Sequence, residues 1–174
     1  YGIRPDIVMY GKSLGNGFPI TALVGKKNIM SSSNKTFISS TYWTENIGTA
    51  AAIKTLELMK KKKSWLVIKK RGQYIKKQIL NISKKHKINI KISGLDAMPK
   101  IEFDKKNKLF CDFICYEMLK NKFLFKDTVY LSVSHTESII KSFLKLLDKI
   151  LLKLSLNKLK IKKFKTLSDF KRYN

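Results

Sequence analysis

The sequence is poor in several residue types whose presence would narrow its function at once. It has two cysteines and two histidines in 174 residues. Cys111 and Cys115 stand four apart on a stretch that reads as helix, with no second cysteine pair and no histidine nearby. That excludes a zinc knuckle and a disulfide framework, and the two are expected to be reduced thiols facing a core, as in the cytoplasm. Long apolar runs are missing too. None approaches the ~18 residues of a membrane-spanning helix, and nothing has the form of a signal peptide. A cytoplasmic protein with no membrane partner is therefore expected. The sequence opens on Tyr1 rather than methionine, with Pro5-Asp6 close behind, so further chain upstream is expected as well.

Acidic residues number 12 against 37 basic ones, for a net charge of +25. Such a charge invites a nucleic-acid reading, but arginine is almost absent. Only Arg4, Arg71 and Arg172 break the run of lysines, and arginine's planar fork is the usual tool for phosphates and base edges. Lysine in excess beside abundant isoleucine and asparagine fits AT-rich codon usage better than a selected binding face. No nucleic-acid motif is present. A basic nucleic-acid-binding protein stays the alternative function, and no specific nucleic-acid partner is expected.

What is there is a chain that is 44% hydrophobic, enough for one ordinary core or one small domain plus part of another. "DIVMYGKSLGNG" reads as a strand, Ile7 to Tyr10, ending in a glycine-rich turn. "ITALVGKKNIM" reads as a second strand, Ile20 to Val24, and a short helical turn. "SSSNKTFISSTYWTEN" is a polar loop with three aromatics. Ile47, Ala50, Ala51, Leu56 and Met59 recur at helical spacing, the helix ending in Lys60 to Lys63, and the pattern resumes through Leu66, Ile75, Ile79 and Ile82. "INIKIS" and "PKIEFD" read as two strands with a bend between them. "LFCDFICYEMLKN" predicts a helix with Leu109, Phe110, Phe113, Ile114 and Met118 inward. "VYLSVSH" reads as a strand, and a capping box from Ser134 to Glu137 opens a last long helix. The tail after Leu156 reads as a short helix or surface arm. This order predicts the end of one α/β domain, residues 1–60, followed by a smaller α+β domain, residues 61–174.

Lys12 differs from the other lysines in its setting. It follows an apolar strand and lies among Gly11, Gly15 and Gly17, whose backbone is free to take positive φ and to approach a bulky ligand. A lysine amine forms a Schiff base with an aldehyde once its pKa falls. On spacing alone, a surface lysine on a tight turn remains the alternative.

The segment "YGIRPDIVMYGKSLGNGFPITALVG" resembles the region around the cofactor lysine of class III, fold type I, pyridoxal-phosphate-dependent aminotransferases. "STYWTENIGTAAAIKTLELM" is similar to that family's next landmark, where a threonine-aromatic pair leads into an alanine-rich helix. "YLSVSHTESII" and "GNGFP" most resemble glutamate-1-semialdehyde aminomutase-like members. The resemblance implies an α/β fold: the C-terminal part of a fold type I transferase, the end of its large domain plus its small α+β domain. It implies pyridoxal 5'-phosphate as cofactor, an amino acid, oxo acid or semialdehyde as substrate, and a homodimer. Lys12 would then be the catalytic, cofactor-bound lysine that shuttles a proton at the substrate α-carbon. Thr41 would bind the cofactor phosphate of the neighbouring subunit. Tyr42 and Trp43 would wall the pocket or simply pack, and His135 reads as structural. Where the family usually has Gly-Gly-Asn-Pro, this chain has Trp43-Thr44-Glu45-Asn46. The family's aspartate for the pyridine nitrogen, its ring-stacking aromatic and its glycine-serine phosphate loop precede the matched segment, so the fragment alone is expected to be inactive. A non-catalytic partner subunit of the same fold is the remaining alternative.

Overall fold

A computed structural model describes residues 2–103 and 108–156, apart from the side chains of residues 108 and 109. The tail after Leu156, Asp104 at the end of "PKIEFD" and the side chain of Leu109 therefore lie outside the described residues. Backbone contacts divide the chain into two compact units, Tyr1–Ser64 and a second beginning at Trp65. No helix among the described residues is long and apolar enough to cross a membrane.

The first unit is built on a hairpin. Strand β1, Ile7–Tyr10, pairs antiparallel with β2, Ala22–Gly25, with Ile7 opposite Gly25 and Tyr10 opposite Ala22. The second strand thus starts two residues later than its sequence suggests, because Pro19 and Ile20 serve another contact: they meet Gly48. A short helix α1, Lys27–Met30, follows, and the serine-rich stretch read as loop begins with a 3-10 helix, Ser31–Lys35. Helix α2, Asn46–Lys62, closes the unit. Its buried positions are Gly48 and Ala52, whereas Ile47, Leu56 and Met59 are exposed within this unit. The apolar face was legible, but the unit leaves it uncovered. Lys63, with φ 46° and ψ 47°, sits in the left-handed region and ends α2.

The second unit holds the larger core. Helix α3, Ser64–Lys85, leads to β3, Ile90–Ser93, which pairs antiparallel with β4, Lys100–Phe103; helices α4, Lys108–Lys120, and α5, Glu137–Leu156, complete it. One cluster joins Ile75 and Ile79 of α3, Ile90 and Ile101 of the strands, Ile114 and Met118 of α4, and Leu147, Ile150 and Leu151 of α5. Phe123 and Phe125 meet Phe143 edge to face, at 5.8 and 5.5 Å between ring centres, a favoured aromatic geometry. Phe110 and Phe113 pack on this cluster, while Leu66 is exposed.

Helix α3 and the bend between the strands lie backbone to backbone. A Cβ at Gly72 would collide with the carbonyl group of Asp96. One turn on, Lys76 Nζ donates to Asp96 Oδ1 at 2.9 Å and to Gly94 O at 2.8 Å. The Lys76 hydrogen bond holds the Asp96 carboxyl below its ordinary pKa. At the other end of α3, Lys85 Nζ reaches Asp148 Oδ2 at 2.9 Å, and His86 Nε2 lies 2.6 Å from Asp148 Oδ1.

Three expectations are corrected here. "VYLSVSH" forms no strand; only the residue before it, Thr128, makes an isolated antiparallel bridge, with Lys100. The N–H groups of Val129 and Leu131 donate to Pro99 O and Ala97 O, but Pro99 has no N–H to return and the ladder stops. Helix α5 is not opened by Ser134. Its cap is Thr136, whose Oγ1 accepts from Ile139 N at 3.4 Å and whose carbonyl accepts from Ile140 N at 3.0 Å; Ser134 is held in the preceding turn by Ser132 Oγ. Nor do Cys111 and Cys115 face a core. Both are half-buried, and both sulfurs lie on the Lys126 carbonyl.

Candidate functional site

Lys12 begins a one-turn 3-10 helix, Lys12–Leu14, directly after β1. Its φ is +50°, a conformation that costs a side-chain-bearing residue about 1–2 kcal/mol. The turn is closed on both sides. Leu14 N–H donates to Gly11 O at 3.1 Å, and Phe18 N–H to Gly15 O at 3.2 Å. Gly15 is buried, and a Cβ there would strike the Phe18 carbonyl and stand 2.8 Å from Ile20 Cγ2. The glycine is required by close approach, and that approach fixes where the lysine emerges.

Lys12 itself is exposed in this unit, and among the described residues its amine has no hydrogen bond or ion pair. Lys26, at the other end of the hairpin, is by contrast engaged with Asp6 at 2.5 Å. A strained turn presenting an uncommitted primary amine suits attachment to an aldehyde.

Thr41 lies at the start of two successive turns, in which Trp43 N–H donates to Ser40 O and Glu45 N–H to Tyr42 O, each at 3.2 Å. Its hydroxyl too has no partner among the described residues and is exposed, as an anion ligand requires. Tyr42 and Trp43 are exposed, and Phe37 is 91% exposed. No hydrogen bond joins Lys12 to Thr41; what links their segments is α2, whose first turn follows the Thr41 loop and packs at Gly48 on Pro19 and Ile20.

Sequence reasoning missed what organises this junction. Glu45 caps α2: its Oε1 accepts from Ile47 N at 2.6 Å and its Oε2 from Gly48 N at 2.9 Å. A negative charge at a helix N-terminus is favourable, but glutamate is not among the residues that usually announce a cap. Gly48 carries the plainer clue, a glycine inside an alanine-rich helix, which often marks close packing.

His135 belongs to the second unit. Its Nδ1 accepts from Ser132 N–H at 2.9 Å and lies 3.0 Å from Ser132 Oγ. Arg71 Nη1 secures the same turn by donating to Ser132 O and Val133 O at 3.3 and 2.9 Å. The histidine holds a turn, in keeping with a structural reading.

The 3-aminobutyryl-CoA aminotransferase of Cloacimonas acidaminovorans is 32% identical over 106 residues, 60% of this chain and 26% of that protein. The glutamate-1-semialdehyde 2,1-aminomutase of Clostridium beijerinckii is 29% identical over 172 residues, covering 87% of this chain and 40% of its own length. Among solved structures, the FumI protein of Sphingopyxis sp., in its PLP internal aldimine form, superposes with a TM-score of 0.81 at 24% identity, over 88% of this chain and 38% of that one. An omega-transaminase from Sphaerobacter thermophilus does so with 0.78 at 14% identity, over 90% and 40%. The fold is thus the fold type I transferase fold, and the chain spans between a quarter and two fifths of the relatives it matches. The family model for aminotransferase class-III matches residues 1–149, and the chain belongs to that family.

Proposed function

We propose that the protein catalyses pyridoxal-phosphate-dependent amino-group transfer, with Lys12 as the catalytic lysine. The observation that carries this reading is an uncommitted amine held at φ +50° between Gly11 and Gly15. When bound, pyridoxal 5'-phosphate supplies an aldehyde for attachment and an electron-withdrawing ring that accepts electrons released at the substrate α-carbon. Lys12 Nζ holds the cofactor and takes and returns a proton at that carbon. Thr41 donates its hydroxyl to the phosphate. The capped turn at Glu45 orients the Thr41 loop without occupying its hydroxyl.

The substrate is an amino acid, an oxo acid or a semialdehyde, and transfer is either between two molecules or within one. We read the working form as a cytoplasmic homodimer in which Thr41 serves the partner's site. The uncovered rings of Phe37, Tyr42 and Trp43 support this, because apolar groups at such exposure call for a covering surface. We read residues 1–60 as the end of the large cofactor-binding domain and 61–174 as the small domain; the contact division near Ser64 supports this.

The test is borohydride reduction of the full-length protein loaded with pyridoxal phosphate, followed by peptide mapping. The pyridoxyl group is expected on Lys12. Its appearance on another lysine, or on none, would overturn the reading.

A further inference from the structure

Helix α4 of the second unit carries a cysteine pair to which the proposed lysine chemistry gives no role. Cys111 and Cys115 stand one turn apart on it, and their sulfurs converge on one backbone atom: Cys111 Sγ lies 3.7 Å and Cys115 Sγ 3.2 Å from Lys126 O. Both side chains are half-buried rather than sealed in the core. The cofactor chemistry uses neither.

We propose that Cys111 and Cys115 form a chelating dithiol site for a soft, thiophilic metal or metalloid centre that takes two sulfur ligands, with the Lys126 carbonyl oxygen beside it. Helical spacing decides between this and the commoner fates of a cysteine pair. Residues four apart on a helix have Cβ atoms about 5–6 Å apart, whereas a disulfide needs about 3.8 Å, so oxidation to a disulfide would require α4 to deform. Zinc would need four ligands for a structural site, and among the described residues no group of three or more histidine, cysteine or acidic side chains could hold a metal ion. A soft centre with two sulfur bonds spans the gap that a disulfide cannot, with the helix intact.

The ionisation of the pair favours capture. The Cys115 thiol can turn its hydrogen to the Cys111 sulfur, which lowers the Cys111 pKa and, by the same bond, raises that of Cys115. Cys111 is thus the more readily ionised of the two. Asp112 and Asp127 oppose that ionisation and Lys126 assists it.

Phenylarsine oxide is a suitable probe. Two arsenic–sulfur bonds form, and the arsenic-bound oxygen leaves as water with the two thiol protons, without a change of oxidation state. The reduced full-length protein is treated with the reagent, challenged with excess monothiol, and mapped by peptide mass. One arsenic bridging Cys111 and Cys115 is expected. In Cys111→Ser or Cys115→Ser, retention against the monothiol should fall about a hundredfold, because the second bond is no longer intramolecular. Mapping the unsubstituted protein tests the proposal even if a variant fails to fold. Arsenic absent from the peptide containing both cysteines, or retained equally well by either single variant, would overturn it.

Discussion

A Cβ at position 48 would stand 2.6 Å from the carbonyl oxygen of Pro19. Gly48 is therefore where the helix that follows the Thr41 loop touches the segment that leaves the Lys12 turn. In Gly48→Ala the helix would have to withdraw or Pro19 to shift, and we expect a loss of about 1–3 kcal/mol, typical of overpacking. Cofactor retention in the full-length protein should fall in parallel. Thermal unfolding, with the released cofactor measured by absorbance, checks both.

The proposed sharing of Thr41 between subunits predicts complementation. Full-length Lys12→Ala and Thr41→Ala should each be nearly inactive alone. Mixed after dissociation and reassociation, they give heterodimers with one doubly damaged site and one intact site. Random pairing should return about a quarter of the native activity for a two-fold dimer. If heterodimers form and activity stays absent, Thr41 does not act across the interface.

Asp148 links the end of α3 to α5 through Lys85 and His86. The Lys85 hydrogen bond is the main cause of its lowered pKa; burial opposes the shift, and His86 adds to it. A carboxyl with a lowered native pKa stabilises the fold above its unfolded value and loses that contribution as pH falls through the native one. The advantage of the native protein over Asp148→Asn should thus hold near neutrality, decline below about pH 4 and vanish in stronger acid. Denaturant unfolding at several pH values measures it; an advantage that grows with acid would contradict the assignment.

The net charge of +25 predicts only polycation behaviour towards DNA. Binding should be sequence-indifferent and fall steeply with salt. Fluorescence titration against unrelated duplexes at low and physiological salt tests this, and sequence preference surviving physiological salt would favour the nucleic-acid function instead.

The helices were legible because isoleucine and leucine recur at helical spacing and the second unit covers them, as at Ile75, Ile79, Ile114 and Met118. Strand β3 was legible in the alternation of "INIKIS". What was hidden depended on partners distant in sequence. Pro99 stops the ladder at Thr128, and Glu45 caps a helix with a side chain better known from other positions. Ser134 looked like a cap until Ser132 Oγ engaged its N–H. Lys12 was marked by its glycine setting and given a role only by resemblance to a family, since nothing in the residue letters declares a positive φ.

Lys63, Lys87 and Lys122 share with Lys12 a left-handed backbone, with φ of 46°, 53° and 64°, and each follows the last residues of a helix, α2, α3 and α4. Glycine ordinarily fills such positions. The lysines there hold strain in the fold, and that strain can be lifted. Lys63→Gly, Lys87→Gly and Lys122→Gly should each raise stability by about 0.5–1 kcal/mol, the relief of strain exceeding the added freedom of the unfolded chain. The triple variant should be a hardened full-length protein, whose melting temperature reports the combined gain. Lys12 would relax in the same way, but there the side chain is the one the proposed chemistry requires. Lys63, Lys87 and Lys122 are thus open to repair, whereas at Lys12 the same relief would remove the amine on which the proposed chemistry depends.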